Sequence, residues 1–242
     1  MKHTLLLCCL IGFILISGCA ATTLPEARTF TTIETVEPQE PFKSSDMFIA
    51  SQGDWHYEVD AGDAGNGTIV LRRAHDEEYD AMFSDNENDR RIQYWVVDKD
   101  GALLLAAVVE HDEQAVSIFD PPLMIAPAQL AAGESRTAES KMRVVDSKNP
   151  RHQRERGTGV STIEYVGDER VDTPLGDLVA KRLKTRFEAK LGLATAVHEN
   201  TIWVVPDIGV IAEESTQQIT ALGLFNKSSN RRIVLIEAPA IQ

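Results

Sequence analysis

From residue 47 onward the chain alternates apolar and polar side chains at period two, the pattern of half-buried β-strands. Trp55, Tyr57 and Val59 alternate with His56, Glu58 and Asp60; residues 62–67 then supply a glycine-rich turn, and residues 68–71 resume an apolar run. No helix start follows those glycines and no Lys-Ser/Thr pair closes them, so a hairpin is expected there rather than a phosphate loop. Residues 92–97, the turn Asp98-Lys99-Asp100-Gly101 and residues 102–109 form the clearest hairpin. The second arm is apolar on both faces, which predicts cover on both sides by a sheet, a helix or a ligand.

Beyond this hairpin, residues 115–119 alternate again, and three prolines between 121 and 127 argue against a central strand or helix interior. Residues 128–133 read as a short turn, Arg143-Val144-Val145 as a strand, and the polar, glycine-ended stretch 148–159 as a loop. Residues 175–191 fit two patterns. As a helix, Thr173 caps it, Pro174 occupies the first turn, and Leu175, Val179, Leu183, Phe187 and Leu191 share a stripe. As a strand, Val179, Lys181, Leu183, Thr185, Phe187, Ala189 and Leu191 share one face, while Arg182, Lys184, Arg186 and Glu188 share the other. Local pattern alone favours the helix, although Gly176 in its first turn costs about 1 kcal/mol relative to alanine.

Two motifs favour the strand. Val171-Asp172-Thr173-Pro174-Leu175-Gly176-Asp177-Leu178-Val179-Ala180-Lys181-Arg182 is followed some twenty residues later by Trp203-Val204-Val205-Pro206-Asp207-Ile208-Gly209. Together with Pro121-Pro122-Leu123 and Gly133, this resembles TapB-like β-rich envelope domains of unknown activity, over residues 90 to 215. Val204 departs from the aromatic usual at that position. The resemblance implies that Thr-Pro-x-Gly is a turn between strands, and that the tryptophan motif is strand, proline turn, strand. Strands at about 160–171, 178–190, 193–205 and 209–219 would then form an antiparallel meander. Thr195, Val197, Thr201, Trp203 and Val205 would face one way; His198, Asn200, Ile202 and Val204 would face the other. Arg182, Lys184 and Arg186 would lie opposite partners such as Glu164 and Glu199, at about 0.2–1 kcal/mol per pair. The functional alternative is an anion-binding strip. The fold expected is mainly β: a single antiparallel curved sheet or sandwich, a meander in its C-terminal half, few short helices.

The N-terminus changes the picture from fold to address. Met1-Lys2-His3 precedes an almost wholly apolar run, residues 5–15, too short for a stable membrane span. Ile16-Ser17-Gly18-Cys19 then resembles a bacterial lipobox, which implies cleavage between Gly18 and Cys19 and lipidation of Cys19. The organisation expected is a signal peptide at 1–18, a lipid-anchored flexible tether at 19–46 with Pro25, Pro38 and Pro41, and a globular domain at 47–242. Residues 31–36 carry enough β-formers to pair as a short edge strand instead. Ala20 stands after the cysteine where an aspartate is absent, which by resemblance favours the outer membrane in a two-membrane envelope.

Cleavage would remove Cys8 and Cys9 and leave 224 residues with one cysteine, occupied by lipid, so no internal disulfide forms. Removing Lys2 from the 24 basic residues leaves 23 against 37 acidic ones, a net charge of −14. That charge opposes nucleic acid and anionic headgroups alike. Membrane affinity is therefore assigned to the N-terminal lipid; the multiple acyl chains implied by the lipobox exceed the two-signal threshold for stable anchoring.

Catalytic chemistry finds little support. Gly157-Thr158-Gly159-Val160-Ser161 lacks the closing glycine of a nucleophile elbow, and neither S-x-x-K nor His-Glu-x-x-His occurs. His75-Asp76-Glu77-Glu78 and His111-Asp112-Glu113 read as solvated loop ends. Asp85-Asn86-Glu87-Asn88-Asp89 lacks the glycine and closing glutamate of a calcium loop. The expectation is a non-enzymatic envelope lipoprotein with a binding or structural domain, needing no cofactor or metal, whose partner is an envelope protein or polymer. A carrier of lipid or another apolar ligand is the alternative, motivated by residues 102–109 and 121–125.

Overall fold

The computed structural model describes residues 29–47, 53–61, 66–75, 80–84, 91–222 and 225–239. Its strands are β1 (Thr31–Val36), β2 (Phe42–Lys43), β3 (Asp54–Asp60), β4 (Asn66–His75), β5 (Asp80–Ser84), β6 (Arg91–Val97), β7 (Leu103–Glu110) and β8 (Ala115–Ala126). They continue as β9 (Gln129–Leu130), β10 (Ser135–Asp146), β11 (Gln153–Thr173), β12 (Gly176–Leu191), β13 (Ala194–Val205), β14 (Gly209–Ala221) and β15 (Phe225–Glu237). One 3-10 turn, Ser44–Met47, is the helical element among the described residues.

Thirteen strands make one antiparallel sheet in the order β1-β11-β10-β8-β7-β6-β5-β4-β3-β15-β14-β13-β12. β11 is long enough to pair with β10 along residues 153–164 and with β1 along 168–172 on one side, and with β12 along 157–173 on the other. The sheet therefore curls until β12 lies against β11. β2 and β9 pair separately. From β11 to β15 the strands form an uninterrupted meander, so residues 175–191 are a strand.

Turn chemistry accounts for that meander. Between β11 and β12 the loop holds only Pro174 and Leu175, and Gly176 takes a positive φ of 106° that a side chain disfavours. Thr173 Oγ1 accepts from Leu175 N at 3.1 Å and donates to Gly176 O at 2.9 Å, locking the turn.

The inner face of the curled sheet holds the core. One cluster gathers Trp55, Tyr57, Ile211, Ile233 and Leu235; a second joins Phe42, Leu103, Leu130, Ile163, Tyr165 and Leu183. At the other end Phe119, Leu123, Met142, Val144, Ala189 and Leu191 form a third. Leu103 and Val108 of the doubly apolar arm are buried in it, while Leu104, Val109 and their outward neighbours are only half-buried. Cover on that second face is thus partial.

Three expectations are corrected. The tether expected to run to residue 46 gives way from Thr29 onward to the edge-strand alternative at residues 31–36: β1 pairs with β11, and Phe30 and Phe42 are buried. Backbone pairing carries β1, whose side chains are almost all exposed, so no apolar alternation marks it. Second, β8 runs through Pro121 and Pro122. Pairing with β10 ends at Asp120 and pairing with β7 resumes at Leu123, so neither proline faces a ladder partner. Third, residues 153–159, read as loop, belong to β11. A Cβ on Gly157 would stand 1.7 Å from Lys190 O, and one on Gly159 would stand 3.1 Å from the Phe187 ring. These glycines permit close approach inside a strand rather than a turn.

Candidate functional site

On the outer face of β11 to β15 lies a groove of about 810 Å³. Period two aligns its polar side chains in register. One row runs Thr162, Arg186, Glu199, Thr216, Asn230; the next runs Glu164, Lys184, Thr201, Glu214, Arg232, Asp60. Side chains two apart on one strand share a face, so each of β11 to β15 contributes one member to each row, and β3 adds Asp60 to the second.

Charges of both signs alternate across these rows. Arg186 pairs with Glu199 across the ladder and with Glu188 at 3.2 Å along its own strand. These carboxylates, Glu199 first, hold the Arg186 guanidinium above its ordinary value. Glu188 is held below the usual carboxylate range, first by Lys190 and then by Arg186. Arg232 contacts Glu214 at 2.9 Å, and Lys184 lies opposite Glu164. Exposed pairs of this kind contribute about 0–1 kcal/mol each. The groove is therefore zwitterionic, with threonine and asparagine hydroxyls and amides between the charges.

Of the three residues proposed as an anion strip, Lys184 and Arg186 line the groove and Arg182 does not. Arg182 sits beyond its rim, bonded to Glu169 at 2.7 Å. Glu169 also accepts from the Trp203 indole at 2.8 Å and from Thr32 Oγ1 at 3.4 Å. Phe30 packs edge-on against Trp203, with ring centroids 4.8 Å apart, and the Arg232 guanidinium lies over the Phe30 ring at 4.3 Å. Phe30 thus packs beside the groove residue Arg232.

A second polar layer lies on the inner face. Arg231 meets Glu213 at 3.1 Å and Arg91 meets Glu110 at 3.1 Å. His198 and Asn200 join them on β13, on the face shared with Ile202. Burial pushes the His198 imidazole down to about 4; Arg231 and Arg91 act in the same direction, and Glu213 opposes them. On the same face, in the row of Leu183 and Ile202, Tyr165 donates to Asp168 at 2.5 Å, and burial followed by that carboxylate lifts the phenol above its ordinary value.

Among the described residues no three His, Cys, Asp or Glu side chains are placed to hold a metal ion. Neither row of the groove holds a histidine or cysteine. The described part of the first acidic-histidine motif is His75, at the end of β4, and the second motif, 111–113, is a turn. Gly18, Cys19, the acidic stretch 85–89 and residues 76–78 lie outside the described residues. Sequence reasoning missed Asp60, Glu214 and Arg232. Period two places each on its strand's outer face, but their convergence depends on register across strands far apart in sequence.

No family model matches the chain, and no curated protein matches it. Several crystal structures share backbone similarity. An exported-protein candidate with YmcC-like fold from Bacteroides fragilis is 14% identical, covers 79% of this chain and 98% of its own, and gives a TM-score of 0.44. The hypothetical lipoprotein YmcC from Escherichia coli is 14% identical, with 81% and 92% covered and a TM-score of 0.39. A lipoprotein candidate from Parabacteroides distasonis is 11% identical, with 79% and 97% covered and a TM-score of 0.40. The likeness concerns backbone layout.

Proposed function

We propose that this chain is a lipid-anchored envelope protein whose β domain is a non-catalytic binding module, with the outer groove as its working surface. The groove carries this reading, because it joins two registered rows of oppositely charged side chains across β11 to β15 and the neighbouring β3. Such a surface selects by geometry and charge order while contributing little net field. Its partner is an envelope protein or polymer presenting polar groups of both signs. Cys19, as the lipidated first residue of the mature chain, supplies attachment, and Ala20 favours the outer membrane where two membranes exist.

Packing favours this over the apolar carrier. Of residues 102–109 and 121–125, which motivated that alternative, Leu103, Val108 and Leu123 are buried within the core clusters, and the groove rows are polar. A photo-crosslinking residue in place of Thr216 tests the proposal in intact envelopes. A discrete adduct is expected there and none at Lys141, which lies on β10 outside the groove. Absence of any adduct at Thr216 would overturn the groove as the working surface.

A further inference from the structure

We infer that residues 29–38 form a releasable strap that sets the length of the membrane tether and is coupled to the groove through Arg232. This inference rests on the reading of Cys19 as the anchor and concerns how that anchor is regulated.

The N-terminal segment is held in two unequal parts. In the second part Phe42 is fully buried, and Lys181 Nζ donates to the carbonyls of Glu40 and Pro41 at 3.0 and 3.2 Å. Pairing of β2 with β9 adds to this hold. In the first part Phe30 is the one fully buried hydrophobic side chain. The β1 side chains are exposed except for half-buried Val36, and its pairing with β11 is broken by a bulge between Thr32 and Glu34. A segment with one buried anchor and an exposed ladder opens at lower cost than the core.

Arg232 links that anchor to the groove. Its Nη2 donates to Phe30 O at 3.3 Å and contacts Glu214 at 2.9 Å, while its guanidinium lies over the Phe30 ring. Glu214 thus positions the group that clamps Phe30. A partner that engages Glu214 or Arg232 in the groove loosens the clamp, and by linkage an undocked strap changes affinity in the groove.

Release changes reach. Nine residues, 20 to 28, separate Cys19 from Thr29, a span of at most about 30 Å. Freeing residues 29–38 as well makes nineteen residues and raises the limit to about 65 Å. The domain would then reach twice as far from the membrane while Phe42 and Lys181 still hold the rest.

Hydrogen exchange on the detergent-solubilised full chain tests this. Residues 29–38 are expected to exchange faster than residues 39–47. Arg232→Ala should accelerate 29–38 about tenfold and leave 39–47 unchanged, from loss of one cation–π contact and one hydrogen bond. Glu214→Gln, which keeps Arg232, should accelerate the same segment to a smaller extent. A disulfide from Glu34→Cys with Arg170→Cys, cross-strand neighbours on β1 and β11, should abolish both accelerations. Exchange of 29–38 and 39–47 as one unit, or no response to either groove substitution, would overturn the inference. The exchange pattern is independent of acylation, whereas the mass of the N-terminal peptide from the same sample reports whether residue 19 carries lipid.

Discussion

His198 offers the sharpest test of the inner polar layer. Its imidazole lies among Glu213, Arg231 and Arg91, with Glu110 paired to Arg91, and burial lowers its pKa to about 4 from 6.5. In the unfolded chain the ring takes up a proton near its ordinary value; in the folded chain it stays neutral until about pH 4. Below pH 6.5 the unfolded state therefore binds more protons, and stability falls as the pH drops from 6.5 toward 4. A separation of about 2.5 pH units at 1.36 kcal/mol each is a loss of about 3 kcal/mol. His198→Gln removes the titration and keeps a side chain capable of hydrogen bonding. Urea unfolding of both chains at pH 7, 5.5 and 4.5 separates this effect from carboxylate titration, which the two share. Between pH 7 and 4.5 the wild-type midpoint should fall by about 1 M more than that of the variant, for a slope of about 2–3 kcal/mol per molar. Parallel pH profiles would refute the burial of a neutral His198.

Other expectations follow from single contacts. Gly157→Ala drives a Cβ into Lys190 O and should cost about 1–3 kcal/mol or more, read by thermal unfolding, with the β11–β12 amides losing exchange protection. Trp203→Phe keeps the packing against Phe30 but leaves the buried Glu169 carboxylate without the indole donor, for a loss of about 1–3 kcal/mol in denaturant melts. Arg154 bonds Asp146 at 2.6 Å and is the first cause of its lowered pKa; Arg154→Ala should raise the Asp146 value in a carboxylate NMR titration.

Local chemistry made much of the sheet legible. Tyr57 and Val59 announce β3 by alternation, and Asp98-Lys99-Asp100-Gly101 announces a turn in which Gly101 takes a φ of 90°. Residues 175–191 were ambiguous because a stripe at positions 175, 179, 183, 187 and 191 fits both periods; Gly176 and the cross-strand partners of Lys184 and Arg186 decide it. What stayed hidden depends on partners remote in sequence. The β-formers of residues 31–36 allowed an edge strand, but its partner β11 lies more than 130 residues away and its exposed side chains give no apolar signal that names it. Gly157 and Gly159 look like loop residues until Lys190 and Phe187 are placed beside them. The meander placed Arg186 opposite Glu199 and Lys184 opposite Glu164, as observed, but extending those rows to Glu214, Arg232 and Asp60 required register across β14, β15 and β3, which no window of sequence contains.

The account depends most on Cys19 as the point of attachment. Intact-mass analysis of the N-terminal peptide from the membrane fraction tests it directly, with a Cys19→Ala chain alongside. A peptide beginning at residue 19 and carrying acyl chains, with the Cys19→Ala chain released from the membrane, is the predicted result. A membrane-bound protein with unmodified Cys19, or one retaining residues 1–18, would contradict it.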